Sequence, residues 1–368
     1  MSGDPILVIG AGVSGSACAI RLRQLGVDVV LAEQADFPRE KVCGCCIGGT
    51  GLAALDQLGL RDWALEAGQP TNRWHASLAG RQVELPLPTG VAISRATLDT
   101  KLLAIASAAG AQVQTPCTAK IESVQDTEVT AALSGPHDNK RVQKFAAVVV
   151  AAGLRGGGLQ KLLPWTEQPN GPFGISFTAA PDDSVKTGVI YMACDEDGYV
   201  GLVRLENDRI DVAAALTSGS DAAERGSPVQ RVEDILLRSA FTQLRLQDRS
   251  RQMTTPALRR SRQAGVGRVL AIGEAAGYVE PFTGEGMTWG MQSGLAAANL
   301  IASQDPLNRV GDAWNDELSI LLKTQKRTCR AVTTALRYRL ARTAAAQVLS
   351  RFPSIATPLI RSLNSPNL

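Results

Sequence analysis

The sequence predicts an α/β fold of two lobes followed by C-terminal helices. Three observations carry this reading. An apolar run at residues 5–10, "PILVIG", ends in a glycine-rich turn and leads into helical spacing, as the first strand of a buried parallel sheet would. Four strand-like runs separated by turn residues fill 173–217, the pattern of an antiparallel sheet. From Asp312 to Leu349 the chain is rich in Ala, Leu and Arg, with no Gly or Pro, which reads as one or two helices ending at Phe352-Pro353.

The first element sets the chemistry. Gly10-Ala-Gly12-Val-Ser-Gly15 follows the strand and opens a helix, "SACAIRLRQLG", that stops at Gly26. Gly10 permits the tight turn, Gly12 lets a pyrophosphate approach the backbone, and Gly15 lets helix and strand lie close. A second strand, "VDVVLAE", ends in Glu33, placed to hold ribose hydroxyls. This is a Rossmann-like dinucleotide site, and the loop alone suits FAD and NAD equally.

Composition narrows the class. Apolar residues make up 45% and charged residues 20% of the 368, as in soluble globular proteins. No apolar run reaches the roughly 18 residues of a membrane span. The start lacks a signal-peptide pattern, and seven cysteines do not form a disulfide framework, so a cytoplasmic location is expected. Net charge is +3, but nine basic residues and no acidic one lie between Leu318 and Leu368. That tail is an address for anionic membrane or an acidic protein partner, or a solvated helical face. No nucleic-acid partner is expected.

Residues 268–286, "RVLAIGEAAGYVEPFTGEG", repeat the strand-then-glycine pattern. Gly273 closes the strand, and Glu274 stands where an acid can accept a polyol hydrogen bond. Gly284 and Gly286 free the backbone before a small-residue helix whose N-terminus favours negative charge. Together the motifs resemble the p-hydroxybenzoate-hydroxylase-like FAD superfamily and, within it, the geranylgeranyl reductase family. "GEAAGYVEPFTGEGM" is similar to that family's flavin loop, "PREKVCG" to its R-x-K-x-C-G segment, and "ISRATLDTKLLAIA" to its R-x-x-L-D-x-x-L motif. The resemblance implies non-covalent FAD held by Gly10, Gly12, Gly15, Glu33, Arg39, Gly44, Arg95, Gly273, Glu274, Pro281, Gly284, Gly286 and Met287. Arg39 is implied to approach the phosphates, and Cys43 to lie by the isoalloxazine as the catalytic residue.

Cys43, Cys45 and Cys46 allow three readings: a flavin-pocket wall first, a C-x-x-C redox pair second, a metal site last. No metal is expected, since Cys117, Cys194 and Cys329 are scattered and the histidines are only His75 and His137. Small buried filler is the plain reading of Cys45 and Cys46.

The expected division places 1–80, 95–165 and 255–310 in the FAD-binding lobe, 81–94 and 166–254 in an antiparallel substrate lobe, and 311–368 in a basic helical segment. Residues 81–87 are expected to join the substrate sheet, 110–151 to return to the parallel sheet through a meander, and 228–250 to be helical. Two departures from the family pattern bear on activity. Ala152-Gly153 stands where the superfamily often has Asp-Gly, and Tyr199-Val-Gly201 lacks the tryptophan of the prenyl-reductase channel motif. Tyr191, Tyr199 and His75 are left unassigned. The expected activity is reduction or dehydrogenation of a carbon–carbon bond in a small hydrophobic substrate, with NAD(P)H or another reductant as donor. The alternatives are hydroxylation of an aromatic or polyketide-like substrate, or modification of a partner protein as quinone-cofactor maturases do. The C-terminal helices are favoured as a cap on the FAD lobe, with peripheral membrane contact added.

Overall fold

The computed structural model describes residues 3–136, 140–219, 225–280, 282 and 284–364. The chain opens with β1 (Ile6–Ile9), α1 (Val13–Gln24) and β2 (Val29–Ala32). Then follow β3 (Cys46–Ile47), α2 (Gly49–Gln57), α3 (Arg61–Ala67), β4 (Gln69–Leu78), β5 (Arg81–Ala92) and α4 (Arg95–Ala108). β6 (Gln112–Gln114), β7 (Thr118–Val124), β8 (Val129–Ser134), β9 (Arg141–Phe145) and β10 (Ala147–Val150) return the chain to its first strand. The middle supplies β11 (Trp165–Ala179), β12 (Val189–Asp195), β13 (Gly198–Arg204), β14 (Ile210–Leu216), α5 (Pro228–Arg238) and β15 (Met253–Arg262). Last come β16 (Gly265–Val266), β17 (Val269–Ala271), β18 (Gly277–Tyr278), α6 (Gly286–Ser303), α7 (Val310–Arg337), α8 (Arg339–Arg351) and α9 (Thr357–Asn364).

Among the described residues these strands form three sheets. A six-stranded sheet runs β16-β17-β10-β1-β2-β6, parallel except at its β16 edge. β1, β2 and β10 are buried apolar runs; α1 packs on β1 and β2, with α4 and α6 against α1. The meander β7-β8-β9 forms a separate three-stranded sheet, as expected from its alternating residues. A nine-stranded sheet runs β18-β15-β11-β14-β13-β12-β4-β5-β3 and is antiparallel except where β4 meets β12.

That large sheet takes more of the chain than expected. Residues 81–87 join it, but so do 69–78 and 253–262, which the expected division assigned mainly to the cofactor lobe. Their hydrogen-bond partners, β12 and β11, lie more than a hundred positions away for β4 and about ninety for β15, beyond the reach of local pattern. The expected helix over 228–250 ends at Arg238. It begins with a reciprocal capping box, in which Ser227 and Gln230 exchange side-chain-to-backbone bonds. Ser239 then donates to the Leu236 carbonyl (2.7 Å) and accepts from the Phe241 N–H (2.9 Å), turning the chain out of the helix.

The C-terminal helices reach both lobes. Trp314 of α7 donates to the Ala271 carbonyl at 2.8 Å and so fixes α7 on the parallel sheet, the expected cap. Buried Arg342 donates to the carbonyls of Leu336 and Arg337, satisfying the end of α7 where the chain kinks at Tyr338. α8 packs against β4 and β5, and a further helix, α9, lies beyond Pro353 against α2. No helix of the described residues is long and apolar enough to cross a membrane.

Candidate active site

A cavity of about 1210 Å³ lies between the two large sheets and the C-terminal helices. Its first end is the β1–α1 turn. Gly10 has φ +104°, and a Cβ there would lie 2.6 Å from the Ala151 carbonyl oxygen, so only glycine fits. A Cβ on Gly15 would be driven into the Gly10 carbonyl oxygen, so Gly15 supports the loop from below without lining the cavity. At the end of β2, Glu33 is 4% exposed. Its Oε2 accepts the Ala11 N–H (2.9 Å) and an Arg39 N–H (2.7 Å), and its Oε1 accepts the Ala35 N–H (3.0 Å). Three donors against about four lone-pair sites leave room for one ribose hydroxyl. Arg39, expected at the phosphates, is turned onto Glu33 and stacks on Phe37, 4.8 Å from the ring centroid.

The cations at the glycine loop are Lys41 and Arg95. A Cβ on Gly12 would lie 2.9 Å from Lys41 Nζ and 3.5 Å from the Arg95 guanidinium. Arg95, at the start of α4, is gripped by Asp99 through two bonds of 2.9 and 2.7 Å. The N-cap Ser94 of that helix donates its N–H to Glu206 at 3.0 Å, from the turn between β13 and β14, so both lobes position Arg95. Burial pushes the Lys41 ammonium down to about 8, and Arg95 adds to the shift. Buried Arg95, held by Asp99, and half-buried Lys41 stand beside a helix N-terminus, and a diphosphate fits between them. Lys41 carried no role in the sequence reading, although it stands two residues after Arg39 in "PREKVCG". Lys41→Met is expected to weaken FAD binding by about tenfold or more, from loss of a charge-assisted contact. It should also flatten the fall in affinity that the wild type shows as pH rises through about 8. Fluorescence titration of apoprotein with FAD measures both.

Toward the centre of the cavity, Glu274 follows β17. Burial pushes its carboxyl up, against the pull of Arg95, Lys41 and Arg260. Gly284, Gly286 and Met287 line the wall at the N-terminus of α6, Gly273 is packed against Ser14 outside it, and Pro281 lies outside the described residues. Cys43, Gly44 and Cys46 form the facing wall. Cys45 does not: at φ +51° its side chain turns into a small core with Ala92, Val203 and Leu205. Its N–H donates to Cys43 Sγ at 3.3 Å. Hydrogen bonding from Cys45, aided by Arg95, outweighs burial and draws the Cys43 thiol down to about 7. Burial pushes Cys46 up, and the Cys43 bond and burial push up Cys45. All seven cysteines are free thiols, and among the described residues no group of His, Cys, Asp or Glu is arranged to hold a metal.

Sequence reasoning also missed Asp211, the acid in "RIDVAAAL". It is buried on β14 beside this cluster, where burial and then Cys43 push its carboxyl well up. Of the tyrosines considered, Tyr199 lines the cavity, whereas Tyr191 packs with His75 and Phe241 in a separate core. Beyond Cys43 the cavity becomes apolar, walled by Trp74, Leu202, Tyr199 and Phe282 and then by side chains of α7, α8 and α9. His137 lies outside the described residues.

The glycine cradle, the Lys41–Arg95 pair and Glu33 fit FAD. Comparisons agree with that geometry. The chain is 28% identical over 327 residues to a menaquinone reductase of Mycobacterium tuberculosis, covering 82% of this chain and 77% of the relative. Among solved structures it is similar to the flavin-dependent brominase Bmp2 (16% identity, 98% and 93% of the two chains, TM-score 0.81). It is also similar to the p-nitrophenol 4-monooxygenase PnpA of Pseudomonas putida (16% identity, 99% of each chain, TM-score 0.80). Residues 4–311 match the family model described as FAD binding domain, and with this cradle around them the chain belongs to that family, as an FAD-dependent enzyme of the p-hydroxybenzoate-hydroxylase-like superfamily.

Proposed function

We propose that this protein is a reductase of the geranylgeranyl reductase type, saturating a carbon–carbon double bond of a prenylated or similarly hydrophobic substrate. The observation that carries the reading is the apolar lining of the cavity, in which Cys43 is joined by Trp74, Leu202 and Phe282 and by side chains of the C-terminal helices. The relative named menaquinone reductase supports the same substrate class.

In this reading FAD is held by the glycine loop, Glu33, Lys41, Arg95 and Glu274, and when reduced supplies the electron pair as hydride. The chain supplies the second hydrogen as a proton. Cys43 Sγ holds it, with an acidity set near 7, and the Cys45 N–H stabilises the thiolate left behind. Asp211 lies beside that thiol, its carboxyl pushed well up by burial and then by Cys43. Phe282, Trp74 and the other apolar walls exclude water, so the proton reaches the substrate rather than solvent.

Anaerobic turnover with dithionite and a prenylated quinone tests this. After reoxidation of the ring to the quinone, the expected product is still heavier by two hydrogens, carried in its prenyl chain, and it forms without oxygen. A strict requirement for oxygen, with one oxygen atom gained, would assign the chain to the hydroxylases instead.

A further inference from the structure

The far wall of the cavity is made by the tail, through Leu336, Leu349, Ile355, Leu359 and Ile360. Ile355 and Leu359 of that wall are also 59% and 41% exposed, so little other protein covers it at that point. Around them the same elements turn Leu340 (85% exposed), Tyr338 (65%), Phe352 (59%) and Val348 (42%) outward. A cap that only covered the protein would bury such residues, whereas α8 buries just Arg342 and Ala346. Six large apolar side chains left exposed within 22 residues, 338–359, suit a binding face.

The charges beside it sort into two sets. Arg330 pairs with Glu167, Arg337 with Glu280, and Arg342 with backbone carbonyls. Arg339, Arg351 and Arg361 are exposed, with no ion-pair partner among the described residues, and no acidic residue follows Glu317. The face is therefore apolar and cationic with nothing to offset it. A second copy of the chain would bring the same positive charge against it. An anionic lipid surface supplies both complements, head-group charge for the arginines and acyl chains for the leucine and aromatics.

We propose that α8, the turn after it and α9 form an interfacial anchor that seats this wall of the cavity on an anionic bilayer, from which the substrate passes inward. The identity of the substrate rests on the functional reading above, but lipid binding does not.

The test is co-sedimentation of the yellow holoprotein with vesicles of phosphatidylcholine alone, or with one quarter phosphatidylglycerol. The protein is expected to pellet with the anionic vesicles, stay in solution with the neutral ones, and be released by roughly 0.5 M salt, where the Debye length falls to about 4 Å. R339Q/R351Q/R361Q should lower the partition coefficient by on the order of a hundredfold, at about fivefold per arginine. L340S/F352S should lower it without changing the salt dependence. Both variants should keep the wild-type flavin spectrum, which shows that they fold. Wild type remaining in solution with anionic vesicles, or variants that pellet as well as wild type, overturns the proposal. Protein that binds vesicles but reduces no prenylated substrate upholds the anchor and overturns the functional reading alone.

Discussion

Gly15→Ala is expected to yield colourless, destabilised protein. The added methyl would overlap the Gly10 carbonyl oxygen and come within 3.1 Å of the Ala151 side chain. Neither neighbour can yield easily. Gly10 is itself wedged against the Ala151 carbonyl, and Ala151 continues β10, which lies between β1 and β17 in the parallel sheet. Helix α1 must then move off the sheet, which takes its N-terminal amides away from the phosphate position. Overpacking of this kind costs about 1–3 kcal/mol, occasionally more. Loss of the bound cofactor adds to the apparent loss, because FAD binds the native state only. Gly3→Ala is the control, since nothing lies within 4 Å of its Cβ position. The ratio of flavin to protein absorbance and a urea unfolding curve give the answer. A Gly15→Ala protein as yellow and as stable as Gly3→Ala would show that the loop does not hold the cofactor.

Cys43→Ala is expected to keep its flavin and lose about a hundredfold or more in turnover, the usual contribution of a positioned acid. The sign of the pH dependence identifies the role. With the thiol at about 7, the protonated form predominates below that pH. A proton donor therefore gives a rate that is level on the acid side and falls about tenfold per unit above pH 7. In Cys43→Ala that limb should vanish. Cys46→Ala tests the second cysteine reading. Its thiol is held protonated by burial, so the substitution should change the rate little, whereas a redox pair would lose activity with either cysteine. A wild-type rate that rises through pH 7 would mean that the thiolate, not the thiol, does the work, and the assignment of Cys43 as acid would fail.

What could be read from sequence, and what could not, divides by distance along the chain. The β1 turn, α1 and Glu33 all fall within residues 6–33, and the fixed spacing of glycines, helix and acid was enough to read them. The meander β7-β8-β9 was legible from its alternating residues. Lys41 was visible as a lysine, but its place at Gly12 depends on Arg95 and Asp99 some fifty-five residues further on, and on Glu206 in the other lobe. Asp211 looked like the polar position of a strand, and nothing local shows that its partners are cysteines about 165 residues earlier. Arg39 was read by analogy as a phosphate ligand; it lines the cavity, and its bond to the carboxylate six positions before it was not part of that reading. Strand β4 shows no regular alternation, and only its pairing with β12 says which sheet it serves.

The match to the flavoprotein family ends at residue 311, while the far wall of the cavity is built from residues 332–364. The tail that walls the cavity thus lies outside the part of the chain that the family match covers. Mutations that lengthen, shorten or repolarise the tail alter which molecule fits without touching the glycine cradle, the Lys41–Arg95 pair or Cys43. Such a chain can change its diet while keeping its chemistry, and grafting the tail of one relative onto the body of another should exchange substrate preference at little cost to redox function.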